Sequence, residues 1–254
     1  MNFNLEINKK TVVHDSGLKS MDTEKANTLT LYLLEEAAAY NKWIFDKISP
    51  WLGERVLEVG CGIGNLTGLL LGHGKVIAAD VNKDYLQIVE NKFLNHSNLI
   101  NTIFWNIQET FPGNPRTAID TIVCSNVLEH IGDDDSALKN FYQLLPARGR
   151  LIVLVPALKI LFNVLDQELG HFRRYNRKEL FQKLTLNGFN VRYLKFFNFF
   201  GTLGWFVNGS LLRRRSLSKK QIIIFNKMVP FFIGLEKVIP PLVGQSLIAA
   251  GERK

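Results

Sequence analysis

Three glycines at alternate positions, Gly60, Gly62 and Gly64, follow the apolar stretch Val56-Leu57-Glu58-Val59 and precede Asn65-Leu66-Thr67. Glycine accepts positive φ and lets a ligand approach the backbone where a Cβ would intrude. With a strand before the turn and a helix after it, free N–H groups and a partial positive charge face whatever binds there. Asp80 lies sixteen residues beyond Gly64, at the end of the next apolar stretch. A carboxylate at that point can accept hydrogen bonds from both hydroxyls of a ribose, so the chemistry is that of nucleoside binding. A dinucleotide site wants Gly-x-Gly-x-x-Gly, but Asn65 or Thr67 occupies the third position on either count. The phosphate-loop pattern fails as well. The interval from Gly68 to Gly74 is one residue too long, and Val76 follows Lys75 where Ser or Thr is needed.

A second set of reactive residues lies further along. Glu129 and His130 close the stretch 119–131, and the run from Asp166 to Arg177 holds His171, Arg173, Arg174 and Tyr175. Guanidiniums in such a run can grip a carboxylate or phosphate in bidentate fashion, or they can pair with Asp166 and Glu168 to fix the loop. His130 is either a general base or a contact on the cofactor shelf, and His171 either a base or a structural hydrogen-bonding group. Asp133, Asp134 and Asp135 read as caps and dipole partners of a helix start.

These residues need a scaffold, and the hydrophobic pattern predicts one. Apolar residues at helical spacing run from Glu24 to Ile48 and end before Pro50. Strands are predicted over Arg55–Val59, Lys75–Asp80, Leu99–Trp105, Thr117–Ser125 and Arg150–Val155. Helices separate them over Leu66–Leu71, Asp84–Phe93 and Ser136–Leu145. Such alternation implies right-handed crossovers and a parallel sheet covered on both faces. A loop then runs to about Tyr175, followed by a helix over Arg177–Asn187 and a strand from Phe189. The final QSLIAAGERK returns as an edge strand.

An acid before Gly-x-Gly-x-Gly, with Asp at the end of the second strand, resembles the class I S-adenosylmethionine (SAM) methyltransferases. IDTIVCSNVLEHI (119–131) and RLIVLVP (150–156) continue the resemblance, which covers about residues 40–200. It implies an α/β, Rossmann-like, doubly wound sheet of seven strands, mostly parallel, with the last strand antiparallel. It also implies SAM as cofactor. Glu58, Gly60, Cys61, Gly62 and Gly64 would lie near its methionine part, and Asp80 and Val81 at its ribose. Asn106 and Ile107 would lie near its adenine, and Ser125 and Asn126 beside the fourth strand. NVLEH resembles a signature of the ubiquinone-biosynthesis-type enzymes and would put His130 beside the sulfonium. Some relatives hold a divalent metal with carboxylates in this segment; Asn126 stands where they have Glu, so no metal is expected. GHFRRY resembles a segment of bacterial methyltransferases associated with glycosyltransferases. That likeness implies a saccharide or lipid-linked acceptor, with Arg173, Arg174 and Tyr175 as its contacts.

The chain has 254 residues, 46% hydrophobic and 21% charged, which excludes a disordered or collagen-like chain. Two cysteines cannot make a disulfide scaffold or a four-cysteine zinc site, and MNFNLEINKK lacks a signal-peptide core, so a cytoplasmic setting is expected. Charge is uneven: residues 1–170 carry 15 Lys/Arg against 20 Asp/Glu, and residues 171–254 carry 16 against 3. Residues 194–243 are aromatic, apolar and basic by turns, too interrupted for a membrane span, and suit a lid, a homodimer face or contact with an anionic membrane surface. The expected organisation is one domain: a helix or lid at 24–48, a cofactor core at 51–200, a cap at 201–243 and the last strand at 244–254. Within it, SAM would donate a methyl to a hydroxyl or carboxylate of a small, saccharide or lipid-linked acceptor. Only a hydroxyl acceptor would need a base. The alternatives are a nucleic-acid methyltransferase and a non-catalytic SAM-binding membrane protein. No nucleic acid is expected, since neither an Asn/Asp-Pro-Pro-aromatic run nor a Pro-Cys pair occurs in the matching segment.

Overall fold

The computed structural model describes residues 15–113 and 119–254. Helices α1 (Asp15–Glu35) and α2 (Ala38–Ile48) lead into β1 (Arg55–Val59), α3 (Thr67–Leu71), β2 (Lys75–Asp80), α4 (Lys83–Lys92) and β3 (Leu99–Phe104). Then come β4 (Thr121–Ser125), α5 (Asp134–Leu144), β5 (Arg150–Pro156), α6 (Val164–Glu168), α7 (Arg177–Leu186) and β6 (Phe189–Phe197). The chain ends with α8 (Phe199–Trp205), a π turn over Phe206–Leu211, α9 (Lys219–Val238) and β7 (Ser246–Arg253).

The seven strands form one sheet in the order β3-β2-β1-β4-β5-β7-β6. β1 to β5 run parallel; β7 is antiparallel to both of its neighbours. The expected topology holds with one correction: β7 is not an edge strand. It is inserted between β5 and β6, and its burial explains why its inner residues, Leu247 to Ala250, are all apolar.

Side chains alternate across the sheet. Leu57, Ile122, Cys124 and Val153 enter a core with Phe141 of α5 and Leu180 of α7. Val56, Val123, Ile152 and Leu154 enter the opposite core with Trp43 and Ile48 of α2, Leu70 of α3 and Phe232 of α9. The single helix expected over 24–48 is two helices, broken at Ala37, which is buried and non-helical (φ −98°, ψ 50°). The break lets α2 cover the sheet while α1 turns toward the glycine turn. α2 buries Trp43, Ile44 and Ile48, whereas Leu29 and Tyr32 of α1, expected on the same face, are about half exposed, so the apolar spacing in α1 does not mark a buried face. The predicted strand Thr117–Ser125 is β4, and its residues 117–118 lie outside the described residues. The expected loop before Tyr175 contains a 3-10 turn (Lys159–Leu161) and α6.

Strand order reverses at β1, between β2 and β4, so a crevice opens beyond the carboxyl ends of these strands.

Candidate functional site

One wall of the crevice is backbone. Gly60, Gly62 and Gly64 have φ of 72°, 51° and 86°, the left-handed region that a side chain disfavours. A Cβ on Gly60 would come within 2.2 Å of the Val127 side chain, so the turn after β1 lies directly against the loop after β4. The Gly60 and Cys61 amides bond the Ala79 carbonyl at 2.8 and 3.1 Å, which locks the turn to the end of β2. Asp80 stands beside it. Its carboxylate accepts from the Gly62 amide and the Asn82 amide, each at 2.9 Å, and is 9% exposed; burial raises its pKa while those amides lower it. Glu58 lies beneath the turn, 3% exposed, and accepts from Thr67 Oγ1 at 2.6 Å. Burial first, and the neighbouring Asp80 to a lesser extent, push its carboxyl up to about 8 against the opposing Thr67 bond. Cys61 is buried, its thiol pushed up by burial.

Val81 is largely exposed at the mouth, whereas Ile107 is buried in the core. Asn106 is half-buried and bonds its own loop: its Oδ1 accepts from the Gln108 amide at 3.2 Å and its Nδ2 donates to Glu109 at 3.0 Å. Ser125 is half-buried and Asn126 exposed at the end of β4; Asn126 has φ 53°, a conformation that Asn tolerates. Helix α1 lies over this wall. The Leu31 carbonyl accepts from Asn65 Nδ2 at 2.8 Å, Glu24 accepts from Asn82 Nδ2 at 3.0 Å, and the Leu31 methyls rest on Gly62.

The facing wall is made of side chains from the loops after β4 and β5. The Phe172 amide donates to the Glu129 carbonyl at 2.7 Å and joins the two loops. This brings His130 and His171 together, their ring centroids 4.7 Å apart and nearly perpendicular. His171 Nδ1 lies 2.9 Å from Asp166 Oδ1. Glu129, 1% exposed, completes the group, with its Oε2 lacking a hydrogen-bond partner among the described residues. Burial, opposed mainly by the His171 charge, raises the Glu129 carboxyl to about 7; burial and then His171 lower His130 to about 4.

Asp166 was not singled out in the sequence except as an ion-pair partner, yet it organises this wall. Oδ1 also accepts from Arg174 Nε at 2.8 Å, and Oδ2 accepts from the Asn163 amide at 3.0 Å and from Trp205 Nε1 at 3.1 Å. The Arg174 guanidinium stacks on the Trp205 ring, 4.9 Å from its centroid. The only hint in the sequence is Asn163-x-x-Asp166, a capping-box spacing, which the structure contains.

Two expected acceptor contacts are therefore corrected. The Arg174 side chain is fully buried in its pair with Asp166, and Tyr175 is fully buried with its hydroxyl 2.7 Å from Asp134 Oδ2. Burial, then Asp134, push that hydroxyl's pKa up. Neither can reach a ligand. Arg173 is partly exposed but pairs with Asp134 at 3.0 Å and donates to the Gly132 carbonyl at 2.7 Å. Among the three acids, Asp133 is the cap of α5, accepting from the Ser136 amide at 3.1 Å. Asp134 and Asp135 instead bind Lys183.

The cap after β6 uses one face of α9 for packing. Ile222, Val229, Phe232 and Glu236 are buried, Phe232 stacks on Phe200 at 4.2 Å, and Glu236 accepts from the Phe199 amide at 2.8 Å. Its other face carries Ile224, Met228, Phe231, Leu235 and Val238, all exposed. Among the described residues, no helix is long and apolar enough to cross a membrane.

A family profile described as "methyltransferase domain" matches residues 29–194. The chain belongs to that family, and its cofactor is the SAM of that class. It is 31% identical over 119 residues to a ubiquinone/menaquinone biosynthesis C-methyltransferase UbiE of Hahella chejuensis, covering 45% of this chain and 48% of that protein. It is 34% identical over 110 residues to the UbiE of Vibrio cholerae, covering 40% and 41%. The chain thus spans about half the length of these curated relatives. Among solved structures, a SAM-dependent methyltransferase from Archaeoglobus fulgidus superposes with a TM-score of 0.56 at 18% identity, covering 84% of this chain and 94% of that one. The magnesium protoporphyrin IX methyltransferase of Synechocystis, with SAM bound, gives 0.56 at 14% identity over 97% and 100%. The [4+2]-cyclase SpnF gives 0.53 at 15% identity, covering 79% of this chain and 74% of that one. The shared fold alone therefore does not dictate methyl transfer.

Proposed function

We propose that the chain methylates an oxygen of a small or lipid-linked polar acceptor, with a saccharide hydroxyl as the leading case, at the surface of an anionic membrane. In this reading Asp80 holds the ribose of SAM and the glycine turn its methionine end. The donor's C–S bond breaks as the acceptor's C–O bond forms. The sulfonium leaves as the neutral thioether S-adenosylhomocysteine, and the hydroxyl proton must go elsewhere. The observation that carries the reading is the meeting of Glu129, His130 and His171 opposite the turn, with Asp166 behind His171. A hydroxyl acceptor must give up its proton as the new C–O bond forms, and an imidazole oriented by a carboxylate can take it.

Membrane contact rests on the exposed stripe Ile224, Met228, Phe231, Leu235 and Val238, beside exposed Arg213, Arg214, Arg215 and Lys220. Each basic residue near an anionic surface contributes roughly 1 kcal/mol. The cap lies outside the matched segment 29–194, so nothing in the family pattern dictates its apolar face.

The test is incubation with methyl-labelled SAM and a panel of polar acceptors, with the labelled position read by NMR. Label on oxygen, together with S-adenosylhomocysteine release, supports the proposal. Label on carbon, as the names of the UbiE relatives would suggest for them, contradicts it.

A further inference from the structure

Glu129 and His130 come from the loop after β4, His171 from the loop after β5, and one donor atom from each lies within 4.8 Å of the other two. Two observations argue against a chance meeting. Glu129 Oε2 is buried without a donor, and leaving a buried acceptor unpaired costs about 1–3 kcal/mol, more when it is charged. His171 is aimed by its Nδ1 contact to Asp166, the carboxylate–imidazole arrangement that orients metal-binding histidines. Asp166 is fixed in turn by the Asn163 amide and Trp205 Nε1. Arg174 pairs with Asp166 at 2.8 Å and, although its charge acts on Glu129, no hydrogen bond joins the two: Arg174 Nη2 and Glu129 Oε2 are both buried without a partner among the described residues.

We propose that Glu129, His130 and His171 bind a divalent transition-metal ion. Donors about 2.0–2.2 Å from one ion in a tetrahedral shell stand about 3.3–3.6 Å apart, so the cluster, within 4.8 Å as it stands, closes with side-chain adjustments of about 1 Å. Two imidazoles favour zinc, iron or cobalt over magnesium or calcium. Three protein ligands would leave a position open to the crevice, where a hydroxyl bound to the ion would be acidified enough to lose its proton to water, so that the ion replaces the free histidines as the means of activation. That purpose rests on the O-methylation reading; the binding test does not.

The tag-free full chain, stripped with chelator and without SAM, is titrated with Co²⁺. The expected result is one cobalt per chain, visible absorption that saturates, and displacement by Zn²⁺. His130→Ala leaves the Asp166 contacts intact, and Glu129→Gln keeps the side-chain volume; each weakens binding by about tenfold or more while thermal unfolding checks the fold. Absent absorption, or binding unchanged in both folded variants, overturns the proposal. A chain that binds no cobalt yet methylates oxygen rejects the metal and keeps the O-methyl reading. A chain that binds cobalt through these residues but methylates carbon supports the metal and rejects that reading.

Discussion

The two walls of the crevice are built by different means. After β1 and β2 the wall is backbone: three left-handed glycines, amides tied to Ala79, and one carboxylate holding two N–H groups. After β4 and β5 it is side chains gathered around Asp166, contributed by residues from Glu129 to Trp205. A wall of backbone is specified by residues adjacent in sequence and suits a ligand that many proteins share. A wall of paired side chains can change its contents while the sheet stays the same, which fits a fold whose neighbours include both methyltransferases and a cyclase.

The contrast predicts where substitutions hurt. The largest effect belongs to Asp166→Ala, which strands the Arg174 guanidinium in the interior: stability should fall by about 3–5 kcal/mol in urea denaturation. A fall under 1 kcal/mol would mean the side-chain wall is not organised there. Gly60→Ala should cost about 2–4 kcal/mol, from left-handed strain and the clash with Val127, and should weaken SAM binding, measured by calorimetry.

The third effect depends on pH. The Glu58 carboxyl sits at about 8 when folded against 4.5 ordinarily, so between these values the folded state holds a proton that the unfolded state has released. Glu58 therefore contributes a decline in stability as pH rises from about 4.5 to about 8, joined by Glu129 up to about 7 and opposed by His130 between about 4 and 6.5. Glu58→Gln should remove its share of that slope, most clearly between about pH 7 and 8, and an unaltered slope there would place the titration elsewhere. Smallest in stability terms is Phe231→Ser with Lys220→Glu on the exposed face. Unfolding should shift by less than about 0.5 kcal/mol, while co-sedimentation with phosphatidylglycerol vesicles drops severalfold. Equal sedimentation would remove the membrane from the account.

The same division decides what could be read from the chain. The left-handed turn at Gly60, Gly62 and Gly64 and the place of Asp80 at a strand end were legible through local rules, because positive φ and the end of a strand are properties of short segments. The parallel order followed from strands separated by single helices. Arg174 and Tyr175 did not declare theirs: an arginine bound for the core and one bound for a ligand have the same neighbours in sequence. What separates them is Asp166, Trp205 and Asp134 arriving through tertiary folding. The meeting of His130 and His171 was hidden for the same reason, since neither loop names the other. β7 could be recognised as a strand, but its place between β5 and β6 depends on a chain reversal through the cap.

The most direct measurement is calorimetric titration of SAM into the wild-type chain and into Asp80→Asn, which keeps one acceptor for the backbone amides. The wild type should bind one SAM per chain, and the variant should remain cooperatively folded, destabilised by about 1–3 kcal/mol because one backbone amide loses its acceptor, and bind SAM at least about tenfold more weakly. Equal affinity in the two proteins, or no heat of binding in the wild type, would contradict the assignment of the crevice to the cofactor.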